Sequence, residues 1–323
     1  MIPLILDVDT GVDDALALLF AARHPELQLR AVTCVAGNAD VDQVVRNTLT
    51  VLDAAGAGDV PVARGAARPL VEAPQPARHV HGVDGLGDVS HQGWPPSARV
   101  ADPRHAVELL RDSLLAGPPV TLVALAPLTN IALLLRTYPE AAGGIARFVF
   151  MGGGALRGNA TAAAEFNVWH DPEAAAVVLD ALATASVPIT MYGLDVFYGP
   201  AATETDAEVL SSAADPGARL AGALLRFGLT RYGTGATTIG DAGAVCAVAD
   251  PAGLRAQRLP VRVELAGTWT RGQTVVDQRP SALDDDHDPH GLAPALVDVG
   301  LEVDGPRYLH LWRSTVLAGR VGA

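Results

Sequence analysis

The sequence predicts an α/β fold, a single large domain over residues 1–323 with a mostly parallel (mixed) sheet flanked by helices. Three observations lead there. Strand and helix signals alternate through the first two-thirds of the chain. With 323 residues and 49% apolar composition, there is ample material for a large core. Four carboxylates stand where the first strand signal ends, on the carboxyl edge at which α/β sheets usually hold ligands.

Pro-Leu-Ile-Leu opens a short buried strand at 3–9, and the apolar run from Ala15 to Ala22 makes a helix from Val12. A second strand covers 27–35, and a helix starts after Asn38 or Asp40. A short strand at 61–63 comes next, then a long loop at 74–96 carrying His79, His81 and His91, of a length often used as a lid. A helix at about 102–115, a strand at 120–125, a helix at 128–138 and a strand at 147–151 continue the alternation. Asp171 and Pro172 read as the cap and first position of a helix over 172–182, and a strand follows at 188–193. On this reading His170 is structural and Trp169 packs.

Asp7, Asp9, Asp13 and Asp14 fall on the first strand-to-helix turn. The two-residue period of a strand puts Asp7 and Asp9 on one side. Gly11 permits a tight turn, and the positive end of the helix dipole favours Asp13 and Asp14. So many like charges in one turn need a cation. All-oxygen ligands suit Ca²⁺ or Mg²⁺ and not zinc.

Composition excludes several classes. A net charge of −13 argues against a nucleic-acid partner, which would demand a basic face. All 23 basic residues are arginine, so lysine P-loop, Schiff-base and Ser-Lys chemistry are absent. Cys34 and Cys246 lie in apolar runs away from zinc-like spacings and read as buried thiols, consistent with a reducing cytoplasm. Asp7 and Asp9 interrupt any signal-peptide core, and Gly117, Pro118, Pro119 and Pro127 break the uncharged window at 114–135, which rules out a membrane span. Gly152 to Gly158 lacks the dinucleotide spacing. The acidic run at 283–288 reads as a solvated surface loop.

The Asp7-Val8-Asp9-Thr10-Gly11-Val12-Asp13-Asp14-Ala15 run resembles the signature of the inosine-uridine-preferring nucleoside hydrolases, with Thr10 where many members have proline. Similar motifs follow in family order: Val35-Ala36-Gly37-Asn38 with Asn47, His81-Gly82, and Leu125 to Ala132. Then come Met151-Gly152-Gly153, Gly158-Asn159, Ala164 to Asn167, Asp171 to Ala175, and Gly240-Asp241. The resemblance implies a Rossmann-like nucleoside hydrolase fold and hydrolysis of a ribonucleoside to ribose and free base, in catabolism or salvage. It also implies a cytoplasmic homodimer or homotetramer.

It further implies Ca²⁺ held by Asp9, both oxygens of Asp14, Asp241 and the Leu125 carbonyl, with a metal-bound water attacking C1′ and Asp9 as its general base. Asp13 and Asn38 would meet the 2′-hydroxyl, and Asn159, Glu165 and Asn167 the 3′ and 5′ side. Met151 and Phe166 would be apolar walls. The residue types suit an oxocarbenium-like transition state, since carboxylates and amides hold hydroxyls and place negative charge under the ring.

One position departs from the pattern. Many members carry a leaving-base histidine or an aromatic residue just before the last ligand, and this chain has Gly240. His81, Tyr232 and Arg231 are the candidates to replace it. The alternative is a ribosyl-binding protein that keeps the calcium site with little catalysis. A haloacid-dehalogenase-type phosphohydrolase is disfavoured by Gly11 and by the lack of lysine.

Overall fold

The computed structural model describes residues 1–279 and 293–319. The first half of the chain runs β1 (Ile2–Val8), α1 (Val12–Arg23), β2 (Leu27–Cys34), α2 (Val41–Ala54), β3 (Val62–Arg64), α3 (Arg78–His81) and α4 (Ala106–Leu115). It continues β4 (Val120–Ala124), α5 (Thr129–Thr137), β5 (Ile145–Met151), α6 (Phe166–His170), α7 (Pro172–Thr184), β6 (Ile189–Tyr192) and α8 (Leu194–Phe197). After these come β7 (Ala201–Thr203), α9 (Glu204–Ser211), α10 (Pro216–Tyr232), β8 (Ala236–Thr238) and α11 (Ala242–Ala249). The last elements are β9 (Leu254–Val263), β10 (Thr274–Val276), β11 (Ala295–Val303) and α12 (Gly305–Ala318).

Nine strands form one sheet in the order β10-β9-β11-β6-β5-β4-β1-β2-β3, and β7 and β8 make a separate two-stranded ribbon. From β3 to β11 every pairing is parallel, whereas β9 runs antiparallel to both β11 and β10. The sheet is therefore mixed, as expected from the sequence. Its two faces carry separate cores. In β1, Leu4, Leu6 and Val8 pack on one side with α1, α2, α10 and α11, while Ile5 packs on the other with α4, α5 and α7.

Two expectations shift. The loop at 74–96 contains α3 and a 3₁₀ turn at Val89–Gln92. The helix expected from 102 begins at Ala106, because Asp102 instead bridges in parallel to Ala63 and the His105 ring accepts the Val107 N–H. The acidic run at 283–288 lies outside the described residues. Cys34 and Cys246 are buried and free, and burial pushes both thiols well above their usual range. Among the described residues no helix is long and apolar enough to cross a membrane.

The C-terminal helix α12 covers α1. Trp312 is fully buried and its indole N–H donates to the Leu16 carbonyl at 3.0 Å, while Arg23 at the end of α1 donates to the Val316 carbonyl at 2.7 Å. A buried aromatic of this size contributes about 2–3 kcal/mol through its apolar area. The helix that opens with Asp13 and Asp14 is thus clamped from behind.

Candidate active site

Strand order reverses between β1 and β4, since β1 leads outward to β2 while β4 starts the opposite half of the sheet. Such a switch point leaves a crevice at the carboxyl ends of the two strands. The Leu125 N–H donates to the Asp7 carbonyl at 2.8 Å and carries the pairing to the rim. A cavity of about 630 Å³ opens there, lined by Asp13, Asn38, His81, Leu125, Met151, Asn159, Glu165, Phe166, Asn167, Tyr232 and Asp241, among others.

Asp9 follows β1 directly and is fully buried. Its Oδ2 accepts the Asn38 N–H at 2.7 Å, and its Oδ1 has no hydrogen-bond partner. Gly37 makes this approach possible, because a Cβ there would stand 2.0 Å from Asp9 Oδ2. Asp14 points back under the turn. Its Oδ1 accepts the Asp9 N–H at 3.2 Å, and its Oδ2 accepts from the Gly11 N–H at 2.9 Å and Asn38 Nδ2 at 3.3 Å. Gly11 has an ordinary negative φ, so the turn does not require glycine. Close approach does, since a Cβ would lie 2.5 Å from His81 Nδ1 and 2.7 Å from Asn38 Nδ2.

Carboxylate oxygens of Asp13, Asp14 and Asp241 lie within 4.8 Å of one another and could hold a metal ion. Burial, and then the neighbouring carboxylates, push Asp9 and Asp241 far above the usual carboxylate range and Asp14 up to about 7. Asp7 belongs to a different network. Its Oδ1 accepts from Thr33 at 2.5 Å and Asn130 Nδ2 at 2.8 Å, beneath the floor of the site.

The far side of the floor is held by β5 and α6. Glu165 caps α6, with Oε1 accepting the Asn167 N–H and Oε2 the Gly153 and Val168 N–H groups; burial raises it to about 7. Asn167 Nδ2 donates to the Leu125 carbonyl at 2.9 Å and the Met151 carbonyl at 3.1 Å, tying β4 to β5. Asn159 is exposed, and its Oδ1 accepts the Phe166 N–H at 2.9 Å.

His81 is buried on α3, and its Nδ1 accepts the Val12 N–H at 3.1 Å. That lone pair is engaged, so the ring proton sits on Nε2. Burial lowers its pKa, and Asp13 Oδ1, 3.7 Å from Nδ1, opposes the shift. Tyr232 ends α10, half-exposed at the mouth. Arg231 is not among the lining residues; its guanidinium turns to the His79 carbonyl.

Gly240 has a φ of +54°, and a Cβ on it would meet Asp13 Cβ at 2.6 Å and the Phe197 ring at 2.9 Å. The backbone here demands glycine, and Phe197 fills the adjoining space. His170 is buried behind Phe166 and is not among the lining residues, its pKa lowered to about 4 by burial. Trp169 packs against the Phe166 ring, as expected, and also lines the cavity. Phe197, Tyr198 and Phe227 also line it, and sequence reasoning missed all three. Their only signal was aromatic character in segments that read equally well as core.

Fold and site together define an α/β protein of the nucleoside hydrolase type, with an acidic floor under an aromatic-rimmed cavity at the switch point. The model of the inosine-uridine preferring nucleoside hydrolase family matches residues 4–310, and the chain belongs to that family. It is therefore an enzyme that hydrolyses the N-glycosidic bonds of nucleosides, which sets aside the reading as a ribosyl-binding protein. The inosine-uridine preferring nucleoside hydrolase of Leishmania major is 40% identical over 282 residues, 85% of this chain and 88% of that one. The non-specific ribonucleoside hydrolase RihC of Klebsiella pneumoniae is 42% identical over 287 residues, with the same coverage of 85% and 88%. Among solved structures, an inosine-guanosine nucleoside hydrolase superposes with a TM-score of 0.88 at 31% identity, covering 99% of each chain. The relatives' names differ in the base they specify.

Proposed function

We propose that the chain is a calcium-dependent ribonucleoside N-ribohydrolase releasing ribose and free base, with Asp9 as general base for the attacking water. The observation that carries this reading is the carboxylate group of Asp13, Asp14 and Asp241, of which Asp13 and Asp241 line the cavity, together with the buried Asp9 Oδ1 and Asp13 Oδ1, which have no hydrogen-bond partner. After burial, the strongest influence on Asp14 and Asp241 is the Asp13 carboxylate and on Asp9 the Asp14 carboxylate. A cluster so charged and so dry fits a hard cation. Asp9, Asp14, Asp241 and the Leu125 carbonyl would hold Ca²⁺. When bound, the ion supplies Lewis acidity toward water and a hold on the ribose diol.

The chain's own residues supply the rest. Asn38 fixes Asp9 through Oδ2, which leaves Oδ1 to take a water proton. The water oxygen bonds to C1′, the C1′–N bond breaks with its electron pair going to the base, and the base nitrogen takes a proton. His81 Nε2–H hydrogen-bonds to that base, with the Tyr232 hydroxyl as a second donor, and the proton itself comes from solvent at the mouth. Asp13 and Asn38 meet the 2′ side, Asn159, Glu165 and Asn167 the 3′ and 5′ side, and Met151 and Phe166 flank the sugar.

The test is ribose release from inosine, guanosine, adenosine, uridine, cytidine and p-nitrophenyl riboside, with calcium and with a chelator. Chelator-sensitive release from a natural nucleoside is the expected result. Release unaffected by chelation would remove the calcium assignment, and release from p-nitrophenyl riboside alone would remove the leaving-base roles of His81 and Tyr232.

A further inference from the structure

The cavity has two walls at its mouth. One is segment 75–81, which presents Gln75, Pro76, His79 and Val80. The other runs from the end of α10 into β8 and presents Phe227, Tyr232 and Thr234. The first wall is anchored inward through His81 on the Val12 N–H, and through Asn47 Nδ2, which donates to the carbonyls of Thr10 and Asp84. Beyond this segment, Gly87 comes so close to α10 that a Cβ would stand 3.1 Å from the Phe227 ring.

At the mouth the tie is Arg231. Its Nε and Nη2 both donate to the His79 carbonyl, at 2.9 and 2.7 Å. His79 sits in a four-residue helix, where terminal carbonyls lack helical partners and readily accept an arginine. Beyond Tyr232 the second wall passes through Gly233 and Gly235, both at positive φ with open space where a Cβ would be. That stretch is open where a side chain would stand, so the Arg231 contact is the cross-wall hydrogen bond next to Tyr232.

We propose that Arg231 is a positioning residue that latches the two walls across the base end of the cavity, setting affinity for the leaving base and not for ribose. The proposal rests on the ribohydrolase reading above. The ribose side stands mostly on buried groups such as Asn38, Glu165 and Asn167, and the Arg231 hydrogen bonds go to the His79 carbonyl. Unlatched walls would weaken apparent binding of a base-bearing ligand by the fraction of time they stand apposed.

The experiment measures inhibition constants of unsubstituted iminoribitol, a ribose mimic, and of an iminoribitol carrying an aryl group in place of the base. Wild type, Arg231→Ala and Arg231→Lys are compared. Arg231→Ala is expected to weaken the aryl compound about tenfold and the unsubstituted one by less than about twofold. Arg231→Lys should fall between, since an ammonium cannot reproduce the two-armed contact. Arg231 is exposed, so the thermal midpoint should not move. Equal weakening of both inhibitors, or of neither, would overturn the latch. Wild-type protein that binds neither compound would overturn the ribohydrolase reading and the latch with it, a pattern distinct from the first.

Discussion

The floor of the cavity is drawn from strand ends and helix starts, whereas its mouth is drawn from segment 75–81 and the end of α10. On the floor, Asp9, Asp14, Glu165, Asn167 and Asp241 are buried, and the first four are each held by one or more hydrogen bonds from the chain. At the mouth, His79, Tyr198 and Tyr232 are exposed, and the Arg231 guanidinium joins the two walls. The difference teaches how the work divides. Sugar chemistry needs atoms fixed to within a fraction of an ångström, which burial and multiple hydrogen bonds supply. Base recognition can vary with loop residues on the same scaffold.

Substitutions on the two sides should therefore behave differently. The largest effect belongs to the floor: Asp9→Ala should lower kcat by about 10⁴-fold in ribose-release assays, and turnover near wild type would end its role as base. Asp241→Ala should weaken calcium binding at least about 100-fold by calorimetry, and unchanged affinity would remove it from the ligand set. At the mouth the loss should depend on the leaving group. His81→Ala should cost inosine or uridine about 10²-fold more than p-nitrophenyl riboside, and equal losses would place His81 with the floor.

The smallest effect is on stability. Asp7, Asp14 and Glu165 are raised to about 7 by burial, so the folded chain keeps protons that the unfolded chain releases near its ordinary carboxyl pKa. Asp9 and Asp241 are raised in the same direction by burial and neighbouring carboxylates. Stability of the chelated protein should then fall as pH rises from about 4 through about 7. Excess calcium should recover the part of the loss due to Asp9, Asp14 and Asp241, while Asp7 and Glu165 keep theirs. A thermal midpoint that rises over the same interval would contradict this account of the floor.

The floor was the legible part. Four aspartates in eight residues have no other economical reading, and the parallel half of the sheet followed from alternating signals. The antiparallel edge was harder to see. β9 leaves Arg255 to Arg258 exposed and buries Leu259, Pro260 and Val261 in a row, so neither a two-residue nor a helical period stands out. The mouth was illegible for another reason. Phe197, Tyr198 and Phe227 become a rim only when distant elements meet, and what Gly11, Gly37 and Gly240 accommodate lies 27 to 227 residues of sequence away. Arg231 looked like a candidate donor to substrate, and its carbonyl partner, 152 residues earlier, leaves no trace in composition.

The helix that carries Asp13 and Asp14 leans on Trp312 and on the Val316 carbonyl. During synthesis on the ribosome those two aspartates emerge long before their support does. A nascent chain that already holds Asp241 still lacks the cover of α12, so assembly of the floor is a late, whole-chain event. Truncation within α12 should accordingly be felt at the opposite end of the polypeptide.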